Sequence, residues 1–367
     1  MEFMGGLWEQ ILEYPVSMRV AVAGMIIGTL LGFIMQRTHF CTMGALSDIN
    51  AFGDWSRFRS WLLAIAVAII GTQFLAFFEY VDMSSSIYLT STFNWLAFII
   101  GGLIFGIGMV FGSGCGAKSL LRLGGGDLKG LIVVLVIAIT GYMTLRGFFA
   151  PARIALNGLG SFDTETVGLA NTGLQTLLAS WFGLEEKTSI VAGAGLAATA
   201  LLAFCFSSSK FRNSPRHVFS GIAVGFFVAA AWWATGTLGF DDFEPAPLFS
   251  LNFVSPTANT LQFLMTYTGA TISFSIATVF GLILGAFLAS VSNKTFAIGS
   301  FADRNDLIRH LLGGSLMGFG AVTSLGCTIG QGVGGVSTLA LGSVIALLSI
   351  IAGGFIGFKM MERGVLL

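Results

Sequence analysis

Residues 101–116 read GGLIFGIGMVFGSGCG and residues 313–328 read GGSLMGFGAVTSLGCT. One shift in register superimposes Gly101 on Gly313, Gly102 on Gly314, Gly106 on Gly318, Gly108 on Gly320, Gly114 on Gly326 and Cys115 on Cys327. The same shift pairs Gly130 with Gly342 and Gly141 with Gly353. Glycine is common in this chain, so one match carries little. Matches that all fall in one register and include a rare Cys mark an internal duplication.

The surrounding composition places that duplication in a membrane. Of 367 residues, 55% are hydrophobic and 10% charged, with a mean hydropathy of +0.86. A soluble domain carries about a quarter charged residues, so this chain lacks the polar surface to solvate a globule of its size. Its 50 glycines suit helices that approach closely or break where backbone lines a cavity. The 18 basic and 18 acidic residues cancel, which gives no reason to expect a nucleic-acid partner. Cys41, Cys115, Cys205 and Cys327 are too scattered for a disulfide framework. With three His and no Cys-x-x-Cys pair, no metal site and no cofactor is expected. Residues 1–15 carry Glu2, Glu9 and Glu13 but no basic residue, unlike the start of a secretory signal, so the first span is expected to be retained.

Nine stretches are long enough for a bilayer: about 16–36, 59–80, 93–113, 130–149, 188–206, 217–235, 259–291, 309–325 and 337–358. The seventh is long and rich in Thr and Ser, which suits a tilted or interrupted helix. The loops after spans one, three, five and seven and the chain end collect 14 of the 18 basic residues. The exceptions are Arg19, Arg146, Arg153 and Lys187, whereas the loop after span six is acidic, with Asp241, Asp242 and Glu244. The positive-inside rule then puts the N-terminus outside and the C-terminus in the cytoplasm. On that reading span three reaches Cys115 inward and span eight reaches Cys327 outward, so the copies are inverted. The expected fold is an all-α polytopic membrane protein of about nine helices plus short re-entrant helices. It forms one transmembrane domain with repeat halves 16–150 and 217–358 joined by 151–206. Within the joint, Leu174, Leu177, Leu178, Trp181 and Phe182 recur at helical spacing; they read as an amphipathic interfacial helix or as a lid over the outer mouth.

Inverted repeats place a transport site at the repeat interface, built from discontinuous helices. After Cys115 come Gly116, Ala117, Lys118 and Ser119, and after Cys327 come Ile329, Gly330, Gln331 and Gly332, both read as turns too irregular for an ordinary helix. A glycine-rich helix contact with a buried Cys is the plainer alternative. Cys41 ends span one in a polar run from Gln36 to Gly44; its counterpart near Leu238 is not a Cys, and Cys205 sits in plain apolar core sequence. Embedded carboxylates are scarce, which argues against a proton relay or a cation pathway. Half-helix N-termini favour an anion, and thiols add a soft surface. A sulfur-bearing anion fits both. Lys118 and Arg122 either draw that anion inward or mark topology alone.

The triple QRTHFC (36–41), GSGCGAKSLLRLG (112–124) and SLGCTIGQGVGG (324–335) resembles the YeeE/YedE family of membrane proteins, which includes thiosulfate uptake permeases. The resemblance implies thiosulfate uptake across the inner membrane along three cysteines in series: Cys327 at the outer mouth, Cys115 central, Cys41 toward the cytoplasm. The expected path also includes Gly114, Gly326, Gln331, Lys118 and Arg37. Relay by non-covalent S–H and N–H contacts is favoured over catalysis, so no enzyme is expected. Transport of sulfite, persulfide or selenite, or a membrane sulfurtransferase with a Cys nucleophile, stays open. The resemblance further implies a TusA-type soluble sulfur carrier as cytoplasmic acceptor or neighbour.

Overall fold

The structure, a computed structural model, describes residues 14–169, 171–183, 185–241 and 244–364. Glu2, Glu9, Glu13 and Asp242 lie outside the described residues, and with them the N-terminal charge pattern. Helices α1 (Val16–Thr38), α2 (Thr42–Phe52), α3 (Ser56–Phe77), α4 (Trp95–Phe111), α5 (Gly116–Gly124) and α6 (Leu128–Arg146) run long, short, long, long, short, long. After the linking helices α7 (Ala150–Leu159), α8 (Leu174–Phe182), α9 (Glu186–Phe206) and α10 (Ser209–Arg212) that order returns. It comes as α11 (Pro215–Trp233), α12 (Ser255–Met265), α13 (Phe274–Ser292), α14 (Arg304–Thr323), a π-helical segment Gly330–Gly335, and α15 (Leu341–Glu362). Strands β1 (Thr92–Asn94) and β2 (Ser161–Asp163) pair antiparallel and tie the linker to the first half.

Eight stretches among the described residues are long and apolar enough to cross a bilayer. The ninth expected span is α14, 20 residues and so about 30 Å long, whose first turns carry Arg304, Asp306, Arg309 and His310. Lys129 on α6 reaches Asp306 at 2.6 Å and holds that polar end in place. The seventh stretch is interrupted: α12 ends at Met265 and α13 begins at Phe274, where the Ser273 hydroxyl caps the Ile276 amide.

Glycine sets how these helices meet. On α1, Gly24, Gly28 and Gly32 stand against Phe274, Thr278 and Leu282 of α13; in return Gly281 and Gly285 stand against Met25 and Thr29. The contacts advance together along both helices, so α1 and α13 are parallel, as are α3 and α11 through Gly221 and Gly225. Helices α4 and α14, the two copies of the glycine motif, pack the other way: Gly101 faces Gly320, and Gly108 and Gly112 face Gly313. Two copies of one motif in antiparallel contact make the repeat inverted. Without a hydrophobic drive between helices in lipid, close backbone packing of this kind is a main source of their association.

Three helices break in the same way. His39, Ser113 and Leu325 adopt φ of 56°, 54° and 60°, and each lies two residues before a Cys. The amide after each bonds back five residues: Phe40 to Met35 at 3.2 Å, Gly114 to Met109 at 3.0 Å, Gly326 to Ala321 at 2.7 Å. This is the Schellman stop, usually made with glycine at the left-handed position. Two expectations change here. The sequence after Cys115 forms a regular nine-residue helix, α5, because Ala117, Leu120 and Leu121 bury against the core and offset the glycine penalty. The partner of α2 is α12, so the counterpart of Cys41 is Val254, not a residue near Leu238. A π turn at Ala234–Leu238 and the added segment 239–254 displace the register.

The ends also sort. Lys210 pairs with Asp54 at 2.9 Å, Arg59 bonds the Cys205 carbonyl at the end of α9, Ala297 bonds Gly125, and Gln36 bonds Ser290. These contacts join the Lys/Arg-rich loops into one basic face. The Lys210 ammonium and the Ser56 amide hold Asp54 down at about 2, so its carboxylate is charged through the neutral range. The four basic exceptions sit on the opposite face with local partners or surroundings. Arg19 pairs with Asp241, Lys187 with Glu79, Arg153 bonds the Thr144 carbonyl at the end of α6, and Arg146 lines a cavity. Helix α8 is docked there by Leu174 N–H to the Leu339 carbonyl at 2.9 Å, while Trp181 is exposed.

Gly285→Leu should lower stability by about 1–3 kcal/mol or more through overpacking against Thr29, whereas Gly158→Ala, in open space, should leave the melting temperature unchanged. At the breaks, a Cβ on Gly326 meets the Gln331 amide nitrogen at 2.9 Å, whereas one on Gly114 meets only the flexible Lys118 side chain at 3.0 Å. Gly326→Ala should therefore lower the melting temperature of purified protein and Gly114→Ala should not.

Candidate functional site

Each broken helix restarts on a thiol. Cys41 precedes α2, Cys115 precedes α5, and Cys327 precedes the turn into Gly330–Gly335. At two of them the sulfur accepts the amide three residues on, Gly44 at 3.5 Å for Cys41 and Gly330 at 3.4 Å for Cys327; Cys115 makes no such cap and lies beside the Lys118 backbone. Cysteine thus does the work usually given to Ser, Thr or Asp at a helix start. With the sulfur engaged as acceptor, its S–H stays free to donate outward. The Phe253 amide, just before Val254, points at Cys327 as well.

The restarts converge. The Cys41 and Cys115 thiols lie side by side, and the Thr328 hydroxyl, otherwise unsatisfied, faces Cys115. Val254 at the start of α12 packs on Gly116 at the start of α5. The chain of groups therefore runs Cys327, Thr328, Cys115, Cys41. All the cysteines are free thiols; Cys115 and Cys327 are buried and Cys41 is half-buried. The N-terminal ends of α2 and α5 point their positive dipole ends into this meeting point, which suits a negative charge.

Cavities differ sharply on the two sides. Toward the opposite face lies a vestibule of about 1130 Å³, rimmed by Arg146, Asp241 and Glu244. Its wall includes Asn252, Val322 and Leu325. Asn252 presses on Gly330, and Leu325 lies two residues before Cys327, so the vestibule floor lies over the turn that carries the buried first thiol. Toward the basic face a pocket of only about 10 Å³ adjoins Cys41, between His39, Arg57, Trp61 and His217. That is room for roughly one water. The protein is open on one side of its thiols and shut on the other.

Most of the expected site residues gather here. Gly114 and Gly326 form the stops ahead of two thiols. The Gln331 amide donates to the Ser324 carbonyl at 2.6 Å and braces the turn through Cys327. Lys118 sits three residues past Cys115 and brings its charge to the surroundings of Cys41 and His39. Arg37 is not brought in. Its side chain is exposed over the Phe33 ring, with its guanidinium carbon 5.7 Å from the centroid. The cation beside Cys41 is Arg57, held by the His39 carbonyl at 3.0 Å and Asp48 at 3.1 Å. Cys205 lies apart in a small cluster with Leu63 and Phe211, as expected of core. Sequence reading missed Asn252, Val254, Thr328 and Trp61. Aligning the short elements of the two halves as well as the glycines would have found Val254; nothing in sequence marks Asn252.

The chain matches the family model described as Sulphur transport over residues 37–356. It is similar to the thiosulfate transporter TsuA of Escherichia coli K12, 29% identical with 90% of this chain and 92% of the relative aligned. It is also similar to the thiosulfate transporter TsuA of Spirochaeta thermophila, 26% identical over 90% of this chain and 96% of the relative. A match over most of its length, carrying all three thiol turns, makes this chain a member of the sulphur transport family.

Proposed function

We propose that this protein takes up thiosulfate across the inner membrane through the three thiols. The observation that carries the reading is the convergence of Cys327, Cys115 and Cys41 at restarted helices beneath an open vestibule, with Cys115 and Cys41 in contact. The names of the two relatives supply the substrate. With the basic face in the cytoplasm, the N-terminus lies outside and the vestibule opens outward. Thiosulfate enters past Arg146 and meets Cys327 with its terminal sulfur against the S–H, its sulfonate oxygens toward the Gly330 and Phe253 amides. It passes by Thr328 to Cys115 and Cys41, and the Lys118 charge favours the inward step. Each contact is a weak hydrogen bond, so no position holds the ion tightly enough to stop it. The halves 16–150 and 217–358 act as the two walls of this path. On release at the basic face, a TusA-type sulfur carrier is the expected acceptor.

Cys327→Ala and Cys115→Ala should each lower uptake of ³⁵S-thiosulfate by cells or proteoliposomes at least about tenfold, with the melting temperature within a few degrees of wild type. Uptake unchanged in both variants would end the thiol-path reading. A sulfur adduct trapped on Cys115 or Cys327 by intact-mass measurement would replace relay with covalent transfer.

A further inference from the structure

The small pocket beside Cys41 holds a donor that has no acceptor. Trp61 on α3 is 1% exposed, and its indole N–H makes no hydrogen bond. Leaving a buried donor unpaired is costly, so a group that meets its partner only at times is expected at a functional position. The ring does not turn away to find a partner because it is wedged: Phe58 stacks on it at 5.9 Å and Gly332 packs against its Cζ2 edge. The other groups at the pocket are the Arg57 guanidinium and the imidazoles of His39 and His217, with Ser60 and Ser220 hydroxyls that bond the His217 carbonyl. No carboxylate lines it; Asp48 touches Arg57 from outside. The donor set is therefore one for an anion.

We propose that this pocket is an exit subsite, distinct from the thiol contacts, where a small divalent oxyanion leaving Cys41 accepts hydrogen bonds from Trp61 Nε1–H and Arg57 before release. The proposal rests on the transport path above. At about 10 Å³ the pocket is too small for such an ion, so occupation requires the cytoplasmic end of α1 to move away from α3. Two bonds hold that end: Arg57 to the His39 carbonyl and Arg216 to the Arg37 carbonyl at 2.7 Å. An oxyanion arriving beside Arg57 competes for the guanidinium N–H groups that clamp His39, so arrival and opening are linked.

Trp61→Phe keeps the ring and removes the donor. In proteoliposomes, maximal thiosulfate uptake should fall about tenfold while the external concentration for half-maximal uptake stays within about twofold, because the outer thiol is untouched. His217→Gln, at the pocket edge, should show the same split and serves if Trp61→Phe does not fold. Wild-type maximal uptake in a folded Trp61→Phe protein, or equal losses in both kinetic parameters, would overturn the subsite. If wild-type protein moves sulfite or selenite but not thiosulfate, the substrate assignment fails instead, and the same variants measured with that anion still decide the subsite.

Discussion

Breaking a helix inside a membrane strands backbone N–H and C=O groups where no water reaches them, and everything distinctive in this protein follows from how those groups are satisfied. Each of three spans stops on a Schellman turn, which binds its last carbonyls. Each then restarts on a cysteine, and at Cys41 and Cys327 the sulfur takes the amide three residues on. On the thiol-path proposal, the sulfurs that cap restarted helices at Cys41 and Cys327 are also groups offered to the path, so backbone repair and transport chemistry share one arrangement.

The left-handed residues at these stops are His39, Ser113 and Leu325, where glycine is usual. A side chain there costs about 1–2 kcal/mol. Leu325 closes the vestibule floor and His39 edges the inner pocket. Glycine is spent elsewhere, on the α1–α13 and α4–α14 seams. Those seams hold the two walls rigid, and only a rigid frame keeps short helices of nine and eleven residues aimed at one point.

Much of this was legible in sequence because the signals were periodic or repeated. Apolar runs gave nine spans, eight of them long and apolar enough to cross a bilayer and the ninth the more polar α14, and the paired Gly101–Gly313 register joined to the positive-inside orientation gave the inversion. Its limits were equally physical. Arg37 and Arg57 are both basic residues near Cys41, and only the left-handed turn at His39 decides that Arg57 is the neighbour. The register that finds Cys115 and Cys327 fails for Cys41, because residues 239–254 lengthen the second half without altering its core. The run after Cys115 looked irregular because its polar residues are read as exposed, whereas Ser119 is buried and bonds the Cys115 carbonyl at 3.2 Å.

Perfect twofold symmetry would give the path identical mouths, and the departures from it are where direction enters. Val254 stands where a fourth thiol would be, so the second half offers one sulfur and the first half two. Within the connection that displaces the register, Asp241, Glu244 and Asn252 line the vestibule, while α1 reaches α2 in three residues and leaves no comparable space. Widening one end therefore required only a longer connection, and narrowing the other only a shorter one. The side chains at the two ends differ accordingly: Asp241, Glu244 and Arg146 rim the wide end, and Arg57 with Trp61 lines the narrow one, where the proposed release step would occur.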